Sequence, residues 1–423
     1  MGVLAGLTTR GRCLLAAGLA AALCALLLDE RDLLRIAVFV VALPIIAAVM
    51  AANARIGLAA LRHLVPERVP VGTSSEVRLE VRSSGRLPAG GLMLEDGVPY
   101  ALGNKPRFVV ERLPRRSAAV LRYPLQPVMR GVHQLGPLRA RVTDPFGLAE
   151  FERELGGRSR LVVVPKVVAL TGLPHGSGMG AGDDGAVRLR AGQGEDDAII
   201  RQYRHGDDLR KVHWKSTARR DELMVRVEES PWHGGVSVLL DTRADAHRGN
   251  GPTSSLEWAI SLAASICLHL HKHGQHVRLC TEEGVLLAGG SASAGLSDVP
   301  VLDALAALHP AHRAQLAVTG DPGAGREMIA VLGDVTPAAV AELVRFRPRG
   351  VRSLAVLLDV NGWASAREER GADPQDALRL LTSAGWGAVV ARPEQGMAAV
   401  WSLLCNTVPE RMSSGHVAGA GPW

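Results

Sequence analysis

Two apolar runs near the amino end constrain this chain more than anything that follows: residues 13–28 and 36–52 contain no charged side chain. Each approaches the roughly 17–25 residues that a membrane-spanning helix needs, the first only if its flanks join in. Their uniform apolarity speaks against a hairpin buried in a soluble core. The connector, Asp29 to Arg35, holds three acids and two arginines and is too short for a domain. Arg10 and Arg12 precede the first run, while Arg55, Arg62 and Arg68 follow the second. Positive charge at both outer ends predicts a two-helix hairpin with both termini in the cytoplasm. A cleaved signal peptide over residues 1–28 followed by a stop-transfer helix is the alternative, since Arg10 and Arg12 also suit its basic start. Both readings leave everything after residue 55 on the cytoplasmic side of a cell membrane.

After the hairpin, residues 1–56, the periodicity changes. In "SEVRLEVRSS", Val77, Leu79 and Val81 alternate with Arg78, Glu80 and Arg82, which marks a half-buried strand. "RFVVERL", "AAVLRYPL", "LRARVTD" and "RLVVVP" follow, separated by Gly and Pro. Short strands at this spacing predict a small immunoglobulin- or fibronectin-like β-sandwich over residues 57–170. Residues 171–199 are Gly-rich with few apolar side chains, the composition of a linker. Their glycines do not make a phosphate loop, because no strand feeds GxGxxG into a helix and no Gly-Lys dipeptide occurs in the chain. From Val236 strands and helices alternate, which predicts a mostly parallel, doubly wound α/β sheet within residues 200–409. Its strands run out into Asp241, Asp334 and Asp359, at the ends where such sheets bind ligands. Residues 410–423 read as a flexible tail.

The five cysteines show no CxxC or disulfide-like spacing, so a reducing compartment or buried positions suit them. The net charge is only +6, and with aromatics at 4% and no nucleic-acid module in view, a nucleic-acid partner is not expected.

The densest concentration of functional groups is "RQYRHGDDLRKVHWKSTARRDELMVRVEE". His205-Gly206 supplies a turn, and Asp207 or Asp208 is placed to cap a helix beginning near Leu209. On that helix Lys211, Lys215 and Arg219 form a basic row at steps of four. Trp214 is large enough to anchor the helix to a sheet or to fill a partner's pocket. Asp208 and His213 could titrate together, but no nucleophile accompanies them and no spacing makes them meet. Arg and Trp dominate interface energies, so the segment reads as a partner-docking motif: Arg201, Tyr203, Arg204, Gly206, Asp207, Asp208, Arg210, Lys211, Trp214, Lys215, Ser216 and Arg219. No catalytic residue and no cofactor is predicted.

This segment closely resembles the hallmark of the domain-of-unknown-function family 58, bacterial proteins that are often membrane-anchored. The resemblance extends to "RGVHQLGPLRARVTDPFGL", where Arg130, Gly131, Gly136, Pro137 and Asp144 to Leu148 match. It implies a von Willebrand factor A-like α/β domain and a MoxR-type AAA+ ATPase as partner. Such domains often bind a divalent ion through DxSxS after the first strand, with a later Thr and Asp as further oxygen ligands. Here the stretch reads "DTRAD": Asp241 matches, Arg243 and Asp245 replace both serines, and Asp334 stands where the later Asp would be. A guanidinium there brings its own charge, so Asp241 and Asp334 read as the remnant of a metal site and no metal is expected.

The expected molecule is therefore a membrane-anchored adaptor rather than an enzyme. The competing expectation is a metal-dependent hydrolase built on Asp241, Asp334 and the histidine cluster His269, His271, His273 and His276.

Overall fold

The computed structural model describes residues 6–53, 58–83, 92–110, 118–174, 198–202, 217, 222, 224–228, 235–289, 298–312, 316, 322–323, 326–345 and 352–407. It falls into two units, Met1–Val164 and Pro165–Trp423.

The first unit opens with helices α1 (Thr9–Leu27) and α2 (Arg31–Asn53), which pair as a hairpin. Both are long and apolar enough to cross a membrane, and only 17% and 22% of their most apolar stretches are buried. A core helix of a soluble protein would be mostly covered. Here Leu19, Leu23, Leu26, Phe39 and Met50 point outward instead. The buried residues of α1 are small, Gly11, Gly18 and Ala25, at steps of seven. Those of α2 include Ala37, Pro44 and Ala51, also at steps of seven. Small residues at this period let two helices pack closely along one seam. A Cβ on Gly18 would lie 2.7 Å from the Val41 side chain.

Ten short strands follow among the described residues. Strands β1 (Leu58–Val65), β3 (Ser75–Ser83) and β6 (Ala118–Leu125) form one antiparallel sheet. Opposite it lie β2 (Arg68–Pro70), β10 (Ser159–Val164) and β7 (Gly131–Leu135), and a second sheet of β5 (Arg107–Val110), β4 (Leu92–Asp96), β8 (Leu138–Thr143) and β9 (Glu150–Glu154). The inward face of β3 serves both. Val77 packs with Leu64, Leu135 and Leu161, while Leu79 and Val81 pack with Leu94 and Leu138. The arrangement is thus a sandwich with one layer split in two. Strand β1, which lacks a strong alternation of side-chain type, is one that the sequence did not disclose. Its Arg62 alternates inward with Leu64 and is paired with Asp96, the two side chains being 3% and 0% exposed. Asp96 accepts from Arg62 Nε at 3.0 Å and from the Tyr123 hydroxyl at 2.5 Å, so a buried charge pair ties β1, β4 and β6 together.

The second unit is built on a six-stranded sheet in the order β15-β14-β13-β16-β17-β18. Its strands are β13 (Val236–Leu240), β14 (Val277–Thr281), β15 (Leu286–Ala288), β16 (Glu327–Leu332), β17 (Ser353–Leu358) and β18 (Gly387–Ala391). All neighbours are parallel except the edge strand β15. Helices α3 (Ser255–Lys272), α4 (Asp298–Ala307) and α7 (Met397–Asn406) pack on one face through Leu262, Val301 and Trp401. On the other face lie α5 (Pro337–Arg345) and α6 (Pro374–Ser383), through Val340, Leu343 and Leu381. With helices on both faces, β13 is buried at all five positions, which explains why four of its five residues are apolar; the fifth, Ser237, donates its hydroxyl to the Gly323 carbonyl at 3.1 Å.

Residues 165–174, expected as the end of the sandwich up to residue 170 and the start of the linker after it, belong to this unit. The Val168 N–H donates to Ser265 Oγ at 2.9 Å, and Leu170 is buried in the core beside α3. The Gly172 carbonyl accepts from His269 Nε2 at 2.8 Å and from Trp401 Nε1 at 3.1 Å. The expected boundary at residues 170 and 171 therefore falls inside a packed segment.

Strands β11 (Ala198–Gln202) and β12 (Met224–Glu228) pair antiparallel as a separate ribbon, Arg201 opposite Val225.

Candidate functional site

The sheet reverses its winding beside β13, with β14 on one side and β16 on the other. Such a point opens a crevice beyond the carboxyl ends of the strands. Asp241, the residue after β13, stands there with its side chain fully buried. Arg243 grips it with two bonds, Nε to Oδ1 at 2.9 Å and Nη2 to Oδ2 at 2.7 Å. The Gly333 N–H adds a further bond to Oδ2 at 3.2 Å. Arg243 Nη2 also donates to the Asp334 carbonyl at 2.9 Å, so its guanidinium bridges the ends of β13 and β16. Burial works against the charge of Arg243, and the Asp241 carboxylate more than offsets this, holding the guanidinium above its ordinary pKa. The planar fork of Arg matches a carboxylate in two places at once, a fit that Lys lacks.

Glu282, just beyond β14, accepts from the Thr242 N–H at 2.9 Å and from the Thr242 hydroxyl at 2.9 Å. Burial pushes its carboxyl up, only partly opposed by the Thr242 bonds. His247 completes the buried polar set. Its Nε2 faces the Asp241 carbonyl at 3.0 Å, and its Nδ1 faces Ser255 Oγ at 3.0 Å. A carbonyl can only accept, so Nε2 carries the proton and Nδ1 accepts from Ser255. Burial pushes the imidazole down, which keeps it neutral. A Ser–His pair at this distance invites a catalytic reading, but Ser255 is fully buried at the first turn of α3. Its oxygen also accepts from the Arg248 N–H at 2.9 Å, so it serves the helix start and is closed to substrate.

The Asp334 carboxylate is engaged elsewhere, accepting from the Ala372 N–H at 3.1 Å with Arg248 Nη2 at 3.6 Å. Asp245 is exposed. Asp359 lies 3.5 Å from Arg392 Nε. Among the described residues no three His, Cys, Asp or Glu side chains gather as ligands for an ion. The histidines proposed to join Asp241 sit at the far end of α3, a helix of 18 residues, or roughly 27 Å. There His271 pairs with Asp298 at 3.0 Å, and His273 Nδ1 meets the His269 carbonyl at 2.9 Å. The structure thus separates the two halves of the hydrolase expectation.

Of the docking-motif residues, Arg201 stands on β11, opposite Val225. Tyr203, Arg204, Gly206, Asp207, Asp208, Arg210, Lys211, Trp214, Lys215, Ser216 and Arg219 lie outside the described residues. What the structure adds is that the two ends of their segment meet, Gln202 opposite Met224. Sequence reasoning missed Glu282, Thr242 and His247. Glu282 ends "HVRLCTE", the same strand-end position that singled out Asp241, and could have been found that way; His247 carries no such signal.

The second matching motif, "DPFGL", is a structural clasp within the first unit. Asp144 accepts from the Phe146 N–H at 2.7 Å and the Ala149 N–H at 2.5 Å, shaping the turn between β8 and β9. Gly147 takes φ of 70°, a left-handed conformation that glycine adopts freely. The turn then receives the start of α1: the Thr8 N–H donates to the Leu148 carbonyl at 2.9 Å and the Thr8 hydroxyl to that of Gly147 at 2.8 Å.

Comparison with known proteins agrees with the motif that begins at Arg201. Over 220 residues the chain is 23% identical to the "Uncharacterized protein YeaD" of Bacillus subtilis (strain 168), covering 51% of this chain and 53% of that protein. The chain thus spans about half the length of the curated relative it matches. Among solved structures, the CARDB domain of a Pyrococcus furiosus protein in complex with di-metal ions covers 25% of this chain and 91% of its own, at 15% identity and a TM-score of 0.19. A Paenibacillus cycloisomaltooligosaccharide glucanotransferase covers 78% and 52%, at 10% identity and a TM-score of 0.16. Likenesses this weak say nothing about fold or activity. The sequence profile described as "Protein of unknown function DUF58" matches residues 199–356, from the β11–β12 ribbon to β17. By that match, this chain carries a DUF58 domain.

Proposed function

We propose that this protein is a membrane-anchored scaffold whose cytoplasmic face docks another protein, with a MoxR-type AAA+ ATPase as the partner that the family resemblance implies. One observation carries the reading. The crevice where an α/β sheet would take a ligand is filled by the protein's own Arg243, bonded to Asp241 and to the Asp334 carbonyl. A site closed in this way holds shape and leaves recognition to surfaces elsewhere. Supporting the reading of this unit as doubly wound and von Willebrand A-like are its helices on both faces, the antiparallel edge strand β15 and Asp241 after the first strand of the sheet.

The docking surface is assigned to the Arg- and Trp-rich segment between β11 and β12. Arg204, Arg210, Lys211 and Arg219 would meet acidic groups on the partner, and Asp207 and Asp208 would hold the helix end in shape. The test is a charge reversal that spares Trp214, Lys211→Glu with Arg219→Glu, in the full-length protein. The variant should reach the membrane and melt as the parent does, while losing the captured ATPase in a pull-down. Retained capture by a folded double variant removes the segment from the interface.

A further inference from the structure

The β8–β9 turn is bonded to the helical hairpin at the end where the hairpin starts and finishes. Thr8, the N-cap of α1, donates its N–H and its hydroxyl to the carbonyls of Leu148 and Gly147. Gly11 lies so close that a Cβ there would stand 2.1 Å from the Leu148 carbonyl oxygen. At the other helix Ala47, Ala48 and Ala51 pack with Leu148 and Ala149, and Arg153 on β9 donates to the carbonyl of Ala52. This turn therefore has a fixed height along the hairpin.

That height follows from length. Helix α1 has 19 residues, or roughly 28 Å at about 1.5 Å each, close to the ~30 Å of a bilayer's hydrocarbon layer. Its first turn then falls at the edge of the layer, and the residues bonded to that turn fall there too. Phe146 occupies the tip of the turn and is 66% exposed, although its neighbours Leu148 and Ala149 are buried. Arg10 and Arg12, on the first turn of α1, are exposed as well. An outward aromatic ring beside two guanidinium groups suits the boundary between headgroups and acyl chains.

We propose that the Asp144–Ala149 turn is a bilayer-contacting tip. Phe146 sits at the level of the headgroups and upper acyl chains of the leaflet where α1 begins, and Arg10 and Arg12 meet the phosphates of anionic phospholipids. This rests on reading α1 and α2 as spanning helices, and the test separates the two claims.

Photoreactive benzoylphenylalanine is introduced in place of Phe146, of Leu23 or of Tyr100 in the full-length chain. Each protein is reconstituted in vesicles of phosphatidylethanolamine and phosphatidylglycerol, irradiated and weighed by mass spectrometry. Leu23 is 60% exposed in the second half of α1, away from the end that holds the turn, and reports spanning itself. Tyr100 is 95% exposed and follows β4, whose Asp96 pairs with Leu138 at the end of β8 far from the turn. Six residues of strand put it roughly 20 Å away. Lipid adducts are expected at 146 and 23 and not at 100, with phosphatidylglycerol enriched at 146 over its bulk share. Substituting Arg10→Gln and Arg12→Gln should return that share to the bulk value. Adducts at 23 without adducts at 146, or equal labelling at 146 and 100, overturn the tip while leaving the anchor intact. A bulk lipid share at 146 in the chain that keeps both arginines overturns their role. Absence of adducts at both 23 and 146 overturns the spanning reading, and the tip with it.

Discussion

At the scale of single residues, the Arg243–Asp241 pair is a buried ion pair that constrains the α/β unit. Both side chains are almost wholly buried, 5% and 0% exposed, so removing one leaves the other charged and unpaired in a dry site. Arg243→Ala should therefore cost about 3–5 kcal/mol of stability, read as a drop in the denaturant midpoint of the full-length protein in detergent. A loss below about 1 kcal/mol, as for an exposed pair, would mean that the crevice admits water. His247 gives a test in pH. Its folded pKa is depressed below the ordinary 6.5, so the unfolded chain binds the extra proton first. Stability from this group is present above that value and is lost as pH falls toward the depressed one. His247→Gln should be less stable than the parent at pH 7.5, and the gap should narrow on acidification to pH 5.5. A gap that stays constant would show that His247 does not titrate differently in the two states.

At the scale of elements, the seam between α1 and α2 depends on the absence of side chains. Gly18→Leu must push against Val41, whose side chain and backbone nitrogen line the same spot. It should lower the melting temperature in detergent, whereas Leu19→Ala on the outward face, 57% exposed, should leave it unchanged. Equal effects at the two positions would mean that the helices do not pack through Gly18. Elements also show what the sequence could disclose. The hairpin, the strands β3, β5, β6, β8 and β10, and the alternation of strands and helices after Val236 were legible because each carries its own period or an end signal. Strand β1 was hidden because its inward row includes Arg62, a charge paid for by Asp96 far along the chain. Helix α7 was missed because a ten-residue stretch with eight apolar side chains and no regular polar alternation looks alike as strand or helix. At the site, Asp241 was legible from its strand-end position. Its bidentate grip by Arg243 depends on a rotamer and a neighbouring loop that no spacing encodes.

At the scale of the whole molecule, the arginines flanking the two apolar helices predict the side of a membrane on which the folded units would lie. With both outer ends basic, a reporter active only in the cytoplasm should work when fused after residue 60 and again at the carboxyl terminus. Activity of a periplasm-only reporter at either site would place the folded units opposite to any cytoplasmic ATPase and end the proposed partnership. Each unit holds a buried ion pair, Arg62–Asp96 in one and Asp241–Arg243 in the other.

The bond from Thr8 to Gly147 joins residues 139 positions apart, and that separation sets an order of events during synthesis. At ribosomal rates of about 5–20 residues per second, the first helix waits on the order of ten seconds before its partner turn has even been made. Nearby helices can pair at once, while so distant a closure bears the entropy of the whole intervening loop and comes late. A chain halted before β9 would thus display a helical hairpin with its base unlatched, Gly11 and the small residues near Ala51 uncovered. Quality control that recognises such an uncovered base would be able to tell an unfinished copy from a finished one.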